Sequence, residues 1–77
     1  MESRREIQDL TMADAHIVAG ERRIAEQVDR IEKLRAGGRG TSEAEQFLAV
    51  LNDTLRNWHN HREQIIRTIE AIDAGRI

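Results

Sequence analysis

Three histidines, one tryptophan and an arginine set among aliphatic residues offer the most chemistry in this sequence. His59 and His61 lie two positions apart, which on a helix points them about 160° away from each other. They cannot ligate one metal ion from the same chain. His16 would have to come across from another element to join either of them. Two imidazoles without a third ligand do not make a metal site. The histidines read more simply as polar residues at the edge of a helical bundle, with His61 partly buried. No nucleophile–base pair, no paired carboxylates and no cofactor fingerprint accompany them. The sequence therefore predicts no catalytic residue, no cofactor and no metal ligand, and the chain is expected not to be an enzyme.

Arg62 interrupts a run of apolar positions, while Asp14 and Glu21 interrupt a second run in the first half of the chain. An unpaired charge taken out of water is costly, so these three are expected to form a polar layer, with Asp14–Arg62 as its ion pair. Such a layer would fix register and orientation between helices. Trp58 occupies a core position, and Gly20 is expected at its level to make room for the ring.

The elements that would position these residues are legible. The segment GGRG at 37–40 disfavours helix and permits positive φ. Beyond it, Ala44, Leu48, Leu51, Leu55, Trp58, Arg62, Ile65, Ile69 and Ile72 recur in alternating steps of four and three. That is the period of a coiled-coil-like helix. Ser42 with Glu45 matches a capping box, and Gly75 a C-terminal stop. The spacing predicts a helix over about 42–74. In the first half Leu10, Ile17, Ile24 and Ile31 repeat every seven residues. Ser3 with Glu6 and Thr11 with Asp14 are alternative capping boxes. A helix from about 3 to 36 matches its partner in length, with a break or fraying near Thr11 left open. Glu26–Arg30 and Asp29–Lys33 are spaced for i,i+4 pairs.

The fold class that follows is all-α: one domain over 1–77, an antiparallel two-helix hairpin with its turn at 37–41. Contacting residues should have numbers adding to about 78, so that Ile31 meets Leu48, Ile24 meets Leu55, Leu10 meets Ile69 and Ile7 meets Ile72. A hairpin cannot enclose a core, and here the flanks are not fully polar. Val18, Val28, Phe47, Val50, Trp58 and Ile66 are the interface candidates. Stripes this wide bury against more than one neighbour. The expected assembly is a homodimer forming a four-helix bundle.

Composition narrows the partners. Charged residues make up 34% of the 77 and the net charge is −2, finely mixed in sign. Arg22, Arg23 and Arg30, with Lys33 and Arg35, alternate with Glu21, Glu26, Asp29 and Glu32, so a solvated face is favoured over a phosphate-binding stripe. Nucleic acid is not the expected partner, although an RNA-binding hairpin dimer using Arg22, Arg23 and Arg30 is the alternative reading. GGRG has neither the length nor the lysine of a P-loop. Cysteine is absent, which fits a reducing compartment. No apolar run reaches membrane-span length, and MESRREIQDL does not resemble a signal peptide. A cytoplasmic, soluble protein is expected.

The stretches ADAHIVAGERRIAEQVDRIEKL (13–34) and TSEAEQFLAVLNDTL (41–55), with His61-Arg62, resemble a group of small uncharacterised bacterial proteins. The shared pattern centres on Gly20-Glu21-Arg22 and on Thr41-x-Glu43-Ala44. The resemblance spans about two-thirds of the chain. It implies a helical hairpin and no particular activity. The functional expectation is a small interaction, adaptor or regulatory protein acting through the helix faces of a dimer, with an unidentified protein as a further partner.

Overall fold

A computed structural model describes residues 4–75. Among the described residues there are two helices, α1 over Arg4–Ala36 and α2 over Ser42–Asp73. They pack against each other along their length in a rod of 59 × 15 × 12 Å. No helix among the described residues is long and apolar enough to cross a membrane.

Glycine stops α1 by a specific arrangement. Gly38 adopts φ +71°. Its N–H donates to the Arg35 carbonyl at 3.0 Å, and the Arg39 N–H reaches back to the Leu34 carbonyl at 2.9 Å. Those two bonds are the Schellman termination, which satisfies carbonyls the helix itself leaves open and requires a left-handed residue. Gly75 also takes a positive φ, +75°, and its N–H donates to the Ile72 carbonyl at 3.0 Å. The second helix therefore closes at Asp73, one residue before the expected end.

One local expectation needs correction, and one alternative falls away. The cap of α2 is Thr41, not Ser42, and no side chain caps it. Ser42 is already helical, and the carboxylate of Glu45 is engaged by Arg35 across the turn at 3.2 Å instead of reaching back. Nor does α1 break near Thr11. Its hydroxyl donates to the Ile7 carbonyl at 3.1 Å while the helix runs on. Ser3, the other suggested start, lies outside the described residues.

The buried residues are small in number and aliphatic: Ala13, Ile17 and Ile31 from α1, Ile65 and Ile72 from α2. Leu10, Ile24, Leu34, Leu48, Leu51, Leu55 and Ile69 are half-buried. These are the sevenfold columns of the sequence, so the apolar period determines which stripe of each helix faces the other. The neighbour that fills the space beside Gly20 differs from expectation. A Cβ on Gly20 would stand 3.3 Å from Leu55 Cδ1, so the space left by Gly20 is taken by Leu55 and not by Trp58. The side chain that reaches Gly20 comes from about one helical turn before the residue the simple facing rule puts opposite it. Leucine reaches further along the groove than a Cα-level count allows.

Candidate interaction faces

Placing the buried columns at the contact divides the rest of each helix into two edges, because residues seven apart share a stripe. In an antiparallel pair, like stripes of the two helices fall on the same side. One edge carries Asp14, Glu21, Val28 and Arg35 from α1 with Glu45, Asn52, His59 and Ile66 from α2. The other carries Asp9, His16, Arg23 and Arg30 with Phe47, Thr54, His61 and Thr68.

The first edge is tied shut. Arg62 Nε donates to Asp14 Oδ1 at 2.5 Å, and Arg35 Nη2 to Glu45 Oε1 at 3.2 Å. Asp14–Arg62 is the pair expected from the sequence. It sits half in solvent, with the side chains 50% and 39% exposed, so water and salt screen it and its contribution stays below about 1 kcal/mol. Glu21 takes no part. It is exposed and makes no ion pair among the described residues. The polar layer is thus a bridge of two residues.

The second edge is open. A groove of about 890 Å³ starts at the turn, floored by Leu34, Phe47 and Leu51 and walled by Arg23, Arg30 and Arg39. It continues past Arg23 and Leu51 to Gly20, Leu55 and Trp58, and on to His61. Along α2 this runs from Glu43 to His61, about 27 Å. At its middle His16 stacks on Trp58 with ring centroids 4.1 Å apart and an interplanar angle of 10°. His61 meets the same indole edge-on at 5.7 Å. The indole therefore stands between the two imidazoles. His59 is exposed on the opposite edge, and His61 is exposed where partial burial was expected. Among the described residues no group of three or more His, Cys, Asp or Glu is arranged to hold a metal ion.

Charge is unevenly satisfied along the groove. Lys33 is paired with Asp29 at 2.9 Å. The hydrogen bond and charge of Asp29 raise the lysine above its ordinary pKa. Glu26–Arg30, the other expected i,i+4 pair, is not formed. Arg23, Arg30 and Arg39 make no ion pair among the described residues. Arg22 lies elsewhere, on the outer side of α1 beside Asp14, Ala15 and Val18.

No family model, curated protein or solved structure matches the chain.

The interface candidates divide between the edges. Phe47, Val50 and Trp58 belong to the open one, where Phe47 and Val50 are 52% and 57% exposed. Val18, Val28 and Ile66 belong to the bridged one. A single flat interface therefore covers three of the six. The sequence reading did not single out Met12, which is exposed on the open edge, or Arg39, which completes the basic end of the groove. It also missed Gln27, whose amide donates to the Ala44 carbonyl at 2.9 Å across the helix pair. A lone glutamine in a core column was the signal available for that bond.

Proposed function

We propose that this chain is a small non-enzymatic interaction protein, an adaptor or regulator of the bacterial cytoplasm. It works as a homodimer of hairpins assembled into a four-helix bundle and offers helix faces to a protein partner. The observation that carries this is surface area. The chain exposes 5995 Å². A compact monomer of 8.8 kDa exposes about 4,800 Å². Its radius of gyration is 17.6 Å, where a globular chain of this length has about 11.5 Å. Half-buried leucines and exposed Met12, Phe47 and Val50 lie within that surplus. Covering them with a second hairpin supplies the core that one hairpin lacks. Sedimentation equilibrium at micromolar concentration is expected to give twice the chain mass. A stable helical monomer there would sink the proposal.

A second reading has one observation in its favour. Arg23 and Arg30 are free of ion pairs among the described residues and share the groove with Phe47, a ring exposed enough to stack on a base. An RNA-binding hairpin dimer would use them, with Arg22 on the outer side as a weaker contact. Glu26 in the same groove and the net charge of −2 count against it. Absence of any RNA mobility shift at low ionic strength disposes of this reading.

A further inference from the structure

We infer that the open edge is the dimer interface, and that it receives a second copy of this chain antiparallel, turn against open end, about a two-fold axis level with Ala19 and Asn57. This rests on the dimer reading above and adds the face and the orientation.

The charge column of α1 is self-complementary. Asp9, His16, Arg23 and Arg30 follow one another every seven residues along the open edge, acidic towards the open end of the hairpin and basic towards the turn. Asp9, Arg23 and Arg30 are exposed and make no ion pair among the described residues. The column's midpoint, between His16 and Arg23, falls within one residue of the midpoint of Arg4–Ala36. A two-fold axis there, perpendicular to the helices, lays α1 on its own copy. Arg30 then stands level with the partner's Asp9, and Arg23 with the partner's His16. The same axis centres the α2 column between Thr54 and His61, the midpoint of Ser42–Asp73. Trp58 lies beside the axis, and Phe47 is level with the partner's Thr68.

The alternative two-fold axis, parallel to the rod, puts both turns at one end. It gathers Arg30 and Arg39 of both copies together and leaves Asp9 without a cation. Like charges placed face to face oppose association, whereas complementary ones set register. Area permits the antiparallel choice. The surplus of roughly 1,200 Å² per chain exceeds the roughly 800 Å² per partner of a standard interface.

The chain contains no cysteine, so one introduced thiol reports its own surroundings. All positions to be changed are exposed, and circular dichroism checks that each variant stays helical. Under mild oxidation Asn57→Cys is expected to form a disulfide-linked dimer, and Asn52→Cys, on the bridged edge, to remain unlinked. Asp9→Arg and Arg30→Asp should each raise the dimer Kd about ten-fold at low salt, and the double variant should restore it. A native dimer that links through Asn52→Cys but not Asn57→Cys overturns the face and leaves the dimer reading standing. Linkage at Asn57→Cys without restoration in the double variant overturns the orientation. A monomeric native chain overturns both. A monomer whose binding to single-stranded RNA is lost in Arg23→Ala and Arg30→Ala gives the groove to nucleic acid instead.

Discussion

The two edges of this hairpin are built from the same helices and satisfy their polar groups in different ways. On the bridged edge the charges of opposite helices meet each other, as Asp14–Arg62 and Arg35–Glu45. On the open edge Arg23 and Arg30 face Phe47, Thr54 and Trp58, and although Glu26 and Glu43 line the same groove neither cation makes an ion pair among the described residues. The lesson is one of stoichiometry. Where both partners of an ion pair lie on one chain, the edge closes on itself. Where one partner lies at the far end of the rod, the edge stays open and its charges are free for another molecule. Apolar residues do not distinguish the edges, since Val18 and Val28 are exposed on one and Phe47 and Val50 on the other.

The largest test of that contrast is apolar. Replacing Phe47 and Val50 together by serine should weaken dimerisation by more than ten-fold, because both side chains move from a covered surface back into water. Replacing Val18 and Val28 together by serine should change the dimer Kd by less than two-fold, since they lie on the edge facing away. Concentration-dependent sedimentation of the two double variants measures the difference. Equal weakening of both would abolish the distinction between the edges.

A smaller effect is expected from the bridge. Asp14→Ala or Arg62→Ala should lower stability by less than about 1 kcal/mol, given that both side chains are about half exposed. The loss should shrink in high salt, as screened pairs do. Urea unfolding at low and high ionic strength checks this. A loss of several kcal/mol would mean that the pair is dry in the assembled protein. The second copy would then cover the bridged edge and not the groove.

The residues that sequence made legible are those whose role depends on spacing along one helix. The sevenfold columns, the glycine stop at Gly38 and the opposition of Asp14 to Arg62 all follow from period and composition. What escaped depends on how the helices slide and on competition between nearby groups. Glu45 is an excellent capping residue on paper, yet Arg35 is within reach across the turn and takes the carboxylate. The stack of His16 on Trp58 needs the register to be known to within one helical turn. The asymmetry of the edges was written in the sequence in part. Asp14, Arg35 and Glu45 share like positions of the repeat, and tracing those positions across the hairpin would have marked the edge that closes.

Gly20 gives the smallest and most local test, since Leu55 fills the space that spacing alone assigns to Trp58. Glycine inside a helix costs about 1 kcal/mol relative to alanine. A methyl group at this position would stand 3.3 Å from Leu55 Cδ1, slightly too close. The neighbour is the end of a flexible side chain, which yields by a few tenths of an ångström at little cost. Gly20→Ala should therefore raise stability by roughly 0.5 kcal/mol, helix propensity outweighing the contact. Gly20→Val adds branches that Leu55 cannot avoid by so small a shift, and it should lower stability by 1–3 kcal/mol or so. Were both variants equally well tolerated, Leu55 would not occupy the space beside Gly20. The space would then be left for Trp58, as spacing alone suggests.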